Sequence, residues 1–169
     1  MRRLFSLSVF AMICANASAG FTPITNFIEA DYLGSADWIS QDGGAGNFRF
    51  YLDMHPSGWT IAQFEMANVK VYKTTAIIDN TGFMSVEMLD ESDPHAIQYY
   101  PGFGSCGVDY CQMTIYLVNG KLWKQLTFNP NNTISVVGSI THDDGSPNIQ
   151  WKGSAVILPS MISNASNTN

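Results

Sequence analysis

Hydrophobic and polar residues alternate along most of the chain from Asn47 onward, the pattern of half-buried β-strands. In the first such run, residues 47–54, the apolar side chains Phe48, Phe50, Leu52 and Met54 share one face. Five later runs show the same period of two, each with its apolar residues on one face. These residues are Met84, Val86 and Met88; Met113, Ile115 and Leu117; Leu122, Leu126 and Phe128; Ile134, Val136 and Ile140; and Ile149, Trp151, Ala155 and Ile157. The pattern therefore predicts a series of strands with one buried and one solvent-facing side.

Turn-forming residues separate these runs at His55–Gly58, Asp79–Gly82, Asn119-Gly120, Asn129–Asn132 and Asp143–Pro147. Asn119-Gly120 is the strongest signal, because a type I′ hairpin needs positive φ at both central residues; it predicts a hairpin between 112–118 and 121–128. Short strands at this spacing predict an all-β, single-domain antiparallel β-barrel or β-sandwich of about eight or nine strands. The polar outward faces argue against an integral membrane protein, since a membrane barrel needs an apolar outer face.

The first nineteen residues have the pattern of an export signal. Arg2 and Arg3 precede the apolar run 4–15, and Ala17-Ser18-Ala19 forms a small-x-small cleavage site. The run has about twelve residues, fewer than the roughly twenty that cross a bilayer as a helix. The sequence therefore predicts cleavage before Gly20 and a secreted or periplasmic protein.

Beyond the predicted signal, 1–19, the chain divides into an N-terminal helix and loop segment (20–46), an antiparallel β domain (47–159) and a polar C-terminal tail (160–169). Thr22-Pro23 is a suitable helix start, and Gly34 is a suitable end. The apolar residues between them fall near one helical face: Ile24, Phe27, Ile28 and Tyr32. The glycine-rich residues 41–46 predict a flexible connection to the β domain.

The charge balance excludes one class of partner. The chain has 8 Lys and Arg against 14 Asp and Glu, a net charge of −6. Loss of Arg2 and Arg3 with the signal leaves 6 basic against 14 acidic residues, a net charge of −8. No cluster of cations is present to replace phosphate counterions, so we expect no binding to nucleic acid. The oligomeric state is left open.

Two cysteines remain after cleavage, because Cys14 lies within the signal. Cys106 and Cys111 are separated by four residues, whereas a redox C-x-x-C pair has two, and a zinc site would need further ligands. An even pair in an exported chain predicts a structural disulfide. Closing so short a loop contributes about 2 kcal/mol in the chain-entropy model.

The segment 98–111 surrounds this cysteine pair with aromatic residues. Tyr99, Tyr100, Phe103 and Tyr110 occur there together with three glycines and a proline. A stapled, tyrosine-rich loop makes a good binding edge, because rings with few torsions lose little entropy on contact. The alternative is that the four rings fold back and plug one end of the sheet.

Candidate catalytic groups are few. The histidines His55, His95 and His142 each lie beside a predicted turn, where polar residues gather for solvation. His142 is followed by Asp143 and Asp144, so an exported hydrolase or metal-dependent enzyme using these residues is one hypothesis. The chain has no G-x-S-x-G, no H-E-x-x-H and no phosphate-cradling glycine loop, and we assign no catalytic residue, metal or cofactor.

The sequence therefore favours a non-catalytic binding module for a small apolar ligand, or for a protein or envelope partner. An apolar pocket of several hundred cubic ångströms would support ligand binding. Convergence of two histidines and a carboxylate on one point would support the enzyme.

Overall fold

Ten antiparallel strands form the part of the chain that the computed structural model describes, residues 29–55, 58–65, 71–93 and 95–158. The strands are β1 (Ala30–Ser40), β2 (Ala45–His55), β3 (Gly58–Glu65), β4 (Val71–Ile78), β5 (Phe83–Asp90), β6 (Gln98–Cys106), β7 (Tyr110–Leu117), β8 (Gly120–Phe128), β9 (Thr133–His142) and β10 (Ile149–Ile157). Each strand pairs with its neighbours in sequence, and β1 also pairs with β10, so the sheet closes into an up-and-down barrel.

The closing pair joins the two ends of the described chain. Its register runs from Tyr32 opposite Ile157 to Ser40 opposite Ile149. Every described strand consequently has a hydrogen-bonded partner on both sides, and the ring of pairings has no open edge.

The barrel interior is the core, and the inward-facing side chains that the structure describes fill it. The apolar faces predicted from the alternation are confirmed for the most regular strands: Phe48, Phe50, Leu52 and Met54 of β2 are all buried, as are Met84, Val86 and Met88 of β5. Strands β7 to β10 add Met113, Ile115, Leu126, Phe128, Ile134, Val136, Trp151 and Ala155 to the same cluster. The all-β, antiparallel part of the prediction is therefore confirmed.

The predicted N-terminal helix is not confirmed. Tyr32 and Gly34, which it was expected to include, lie in strand β1, and the barrel begins at Ala30, where the sequence predicted a β domain from Asn47. Inward positions of β1 carry small residues such as Gly34 and Ala36, so its period of two is weak. Residues 20–28, the predicted signal and the polar tail lie outside the described residues. In the described ranges no helix is long and apolar enough to cross a membrane.

The hairpin at Asn119-Gly120 forms, but one residue out of the predicted register. Leu117 pairs with Gly120, so the two-residue connection consists of Val118 and Asn119. Gly120 has a φ of 153°, and a Cβ there would lie 2.1 Å from the carbonyl oxygen of Thr141. Gly120 is therefore required because β9 approaches its backbone closely. The sequence had predicted a different reason, a central position in a type I′ turn.

Candidate functional site

A cavity of about 550 Å³ occupies one end of the barrel. This is the end at which β1 leads into β2, β5 into β6, β7 into β8, and β9 into β10. Its described lining consists of Trp38, Phe48, Tyr72, Met88, Asp90, Tyr100, Leu117, Val118, Asn119, Leu122, Ile140, His142, Asp144, Ser146, Ile149 and Trp151. We call this end of the barrel the mouth; Val118, 81% exposed, lies at its rim.

Two tryptophans form one wall of the cavity. Trp38 of β1 lies directly opposite Trp151 of β10, and each is flanked on its other side by a glycine, Gly46 on β2 and Gly138 on β9. A Cβ on Gly46 would lie 2.8 Å from Trp38 Nε1, and one on Gly138 would lie 2.3 Å from Trp151 Cζ2. The indole rings therefore lie against backbone where a side chain would otherwise stand. The glycines are what make room for them.

Trp151 is held by ring contacts but has an unsatisfied polar atom. Its ring packs edge-on against Phe48, with centroids 6.4 Å apart and planes at 72°. The residue is only 7% exposed, and its indole N–H has no hydrogen-bond partner among the described residues. A buried donor without an acceptor is costly. The wall of the cavity thus includes a residue whose indole N–H is buried without a described acceptor.

Two carboxylates lie in the lining, and backbone groups hold both. Asp90 Oδ1 accepts from the Ser92 N–H at 3.0 Å. Asp144 Oδ1 accepts from the Ser146 N–H at 3.0 Å, and its Oδ2 accepts from the Asn119 side-chain amide at 3.2 Å. The hydrogen bond from the Ser146 backbone is the largest of several effects that lower the pKa of Asp144. Asp144 therefore contributes a negative charge at the mouth at neutral pH.

His142 also lines the cavity, but its contacts are structural. Its Nδ1 lies 2.9 Å from the carbonyl oxygen of Pro147 and must donate to it, and its backbone N–H donates to Asn148 Oδ1 at 3.0 Å. Asp143 is exposed and does not belong to the described lining, whereas Asp144 does. The structure therefore brings His142 and Asp144 to one cavity and leaves Asp143 outside it.

The other two histidines lie elsewhere. His95 is exposed in the connection between β5 and β6, where its backbone N–H donates to Asp93 Oδ1 at 2.9 Å. His55 ends β2 at the opposite end of the barrel, with Nδ1 3.3 Å from Glu29 Oε1 and Nε2 3.0 Å from Asp53 Oδ1. These carboxylates, Glu29 first, raise the pKa of His55. In the described residues no group of three or more His, Cys, Asp or Glu is arranged to hold a metal ion.

The four aromatic candidates do not lie on one surface. Residues 98–106 form strand β6 instead of a loop, so successive side chains alternate between the two faces. Tyr100 points inward and lines the cavity, whereas Tyr99, Phe103 and Tyr110 are exposed on the outside. Phe103 stacks at an angle on Tyr116, with centroids 5.6 Å apart. The expectation that all four rings plug the sheet is thus wrong for Tyr99, Phe103 and Tyr110.

Cys106 and Cys111 lie opposite each other on β6 and β7 with their Sγ atoms 2.07 Å apart, so the predicted disulfide is formed. It lies where β6 turns into β7, at the end of the barrel opposite the mouth. The staple and the cavity are therefore separate features. The two are close together in the sequence, within residues 98–111, but lie at opposite ends of the barrel.

Sequence reasoning missed most of the cavity. Trp38 lies in the segment predicted to be helix or loop, and Asp90 begins an acidic run, residues 90–93, whose composition is that of a solvated loop. Nothing in these local patterns places the two residues around one space. A comparison with models of protein families finds none that matches the chain, and a comparison with curated proteins finds no significant match.

Proposed function

We propose that this chain is an exported, non-catalytic binding protein that takes a small, largely apolar ligand into the mouth of its barrel. The supporting observation is the cavity of about 550 Å³, lined mainly by aromatic and aliphatic side chains. Pockets for small organic ligands typically measure about 300–1,000 Å³ and are mostly apolar, with a few polar groups that orient the ligand. The mouths of β-barrels are a common place for them.

The polar groups of the lining fit this purpose. Asp90 and Asp144 are held in fixed positions by backbone donors. Fixed polar groups give an apolar pocket its specificity, because a ligand that leaves them unpaired binds less well.

Export is the second part of the proposal. The Cys106–Cys111 pair is at disulfide distance, and disulfides persist in oxidising compartments outside the cytosol. The predicted signal supports the same location, secreted or periplasmic.

The catalytic alternative has less support. His142 Nδ1 faces a backbone carbonyl and not a carboxylate, and both oxygens of Asp144 accept hydrogen bonds that keep it ionised. An efficient general base has a pKa near the working pH. The cavity likewise argues against a structural module without a pocket.

The proposal is tested with the neutral fluorescent probe N-phenyl-naphthylamine, which brightens in apolar surroundings. We expect saturable binding to the folded protein. Ile140→Trp, which fills the lining, should weaken binding at least about tenfold, the effect of losing ~1.4 kcal/mol. Val137→Trp adds the same ring on the outer face of the same strand and should leave affinity unchanged. Failure of the probe to bind, or equal affinity in the two variants, would overturn the proposal; thermal melts verify that both variants fold.

A further inference from the structure

The cavity combines aromatic rings with negative charge. The described lining contains two carboxylates, Asp90 and Asp144, and one imidazole, His142, but no Lys or Arg. The lysines of β4, β8 and β10 nearest this end, Lys73, Lys121 and Lys152, face outward and are exposed. A ligand entering the mouth therefore meets two carboxylates and no opposing cation among the lining residues.

The carboxylate of Asp90 lies among tyrosines. Asp90 on β5 is directly opposite Tyr72 on β4, and Tyr100 on β6 is directly opposite Met88, the preceding inward residue of β5. All four of these side chains line the cavity. Across the cavity stand Trp38, Phe48 and Trp151. Aromatic rings carry negative charge on their faces and attract ammonium groups, most strongly in a desolvated site.

Lys124 is the inward-facing cation of β8, and it lies outside the described lining. It follows Leu122, the inward residue that does line the cavity, one step deeper along the strand. Lys124 is 1% exposed, so the lining that a ligand contacts presents the two carboxylates and not this cation.

We infer that the ligand of this cavity is an amphipathic organic cation: an apolar or aromatic body carrying an amine or quaternary ammonium group. The body occupies the aromatic part of the cavity, and the ammonium group lies at the mouth between Asp90 and Asp144. The inference rests on the proposed function and specifies the class of ligand.

Three probes of the same size and differing only in charge test this inference: phenylbutylamine (cationic), phenylbutanol (neutral) and phenylbutyrate (anionic). Each is titrated against the complex of the protein with N-phenyl-naphthylamine, at neutral pH and low salt. We expect the amine to displace the fluorophore at a concentration about fivefold or more below that of the alcohol, and the anion to be the weakest of the three.

Variants locate the source of the preference. Asp90→Asn should remove most of the advantage of the amine over the alcohol, measured as the ratio of the concentrations at which each displaces the fluorophore. Asp144→Asn, which keeps one oxygen as an acceptor for the loop, should act in the same direction. The control is Asp143→Asn, which removes the same charge one residue away and outside the described lining; it should keep the preference.

The outcomes separate the two proposals. If the fluorophore itself does not bind, the proposed function fails. If the fluorophore binds and the amine displaces it no better than the alcohol, only the cation inference fails. If phenylbutyrate is the tightest of the three, the cavity prefers an anion and the inference is overturned.

Discussion

Lys124 points into the barrel from the middle of β8, where the alternation of the strand would place an apolar residue. It is 1% exposed, and it lies directly opposite Met113 on β7 and Gly138 on β9. Burial lowers its pKa to about 8, because taking an ammonium group out of water disfavours its charged form. At neutral pH the residue is still mostly charged.

The lowered pKa of Lys124 makes stability depend on pH with a definite sign. Between about pH 8 and pH 10.5 the unfolded chain retains a proton that the folded chain has lost, so the free energy of unfolding rises with pH in this window. Below about pH 8 the full cost of burying the charge is present. A pKa difference of this size corresponds to about 3 kcal/mol.

We therefore expect Lys124→Met to stabilise the protein near neutral pH, by up to about 3 kcal/mol. The gain should shrink as the pH rises toward that of free lysine. Urea unfolding of both proteins near pH 7 and near pH 9.5 measures it. Lys121→Met, on the exposed face of the same strand, should change stability by less than about 0.5 kcal/mol. A loss of stability in Lys124→Met near pH 7 would mean that contacts of the ammonium group outweigh its desolvation.

At the scale of single elements, the strands differ in how clearly the hydrophobic pattern of their sequences predicts them. In the middle of β2 and β5 the inward positions are large apolar residues, such as Phe50 and Met84, and the period of two predicts both strands. In β6 the inward positions include Gly102 and Gly104, and the outward ones carry Tyr99 and Phe103. The hydrophobic pattern is thus inverted, and the sequence predicts a loop where the structure has a strand.

Close packing against the neighbouring strands β5 and β7 explains why β6 has glycines inside. A Cβ on Gly104 would lie 2.1 Å from the carbonyl oxygen of Gln112 and 2.7 Å from Met84 Cε. Neighbouring strands therefore supply the side chains that fill this part of the interior. Which strand fills a given part of the interior depends on the register between neighbouring strands. That register is a property of the closed sheet and cannot be derived from any single segment.

The disulfide in the β6–β7 hairpin should affect the stability of the barrel but not the affinity of the cavity for a ligand. Replacing both Cys106 and Cys111 by alanine should lower the free energy of unfolding by about 2 kcal/mol, because only a short loop is released. Affinity for N-phenyl-naphthylamine should stay within about twofold of the wild type, since the staple lies at the other end of the barrel. Melts and fluorescence titrations of the double variant give both values. A tenfold loss of affinity in a variant that still folds would show that the two ends are coupled.

At the scale of the whole molecule, the binding end is assembled from segments far apart in sequence. Four different connections or strand ends contribute to the lining of the cavity, through Trp38, Asp90, Asn119 and Asp144. These residues line one cavity only because the chain returns to the same end of the barrel at every second turn. The sequence predicts most of the individual turns. It does not show that the sheet closes, and without closure the turns enclose no cavity.

Closure between β1 and β10 also makes the position of the chain ends arbitrary. Nine of the ten pairings join consecutive strands, and one joins Tyr32 to Ile157 and their neighbours. The backbone N–H of Leu158 already donates to the carbonyl oxygen of Asp31 at 2.8 Å, so a few glycines would connect residue 158 to residue 29. Circular permutants can be made by joining the present ends in this way and placing the new ends in the turn 79–82 or the turn 129–132. In each permutant, nine strand pairings would again join consecutive strands and one would join the first strand to the last.

We expect both circular permutants to form the same barrel. Each omits residues 1–28 and 159–169. Their folding rates should agree within about tenfold, because the mean sequence separation of contacts is nearly the same wherever the ring is opened. Stopped-flow refolding compares them with the linear chain of residues 29–158. A permutant that refolds far more slowly would identify the opened hairpin as the one that nucleates folding. If the rates agree, the closed meander behaves as a ring in which each hairpin is a kinetically equivalent starting point.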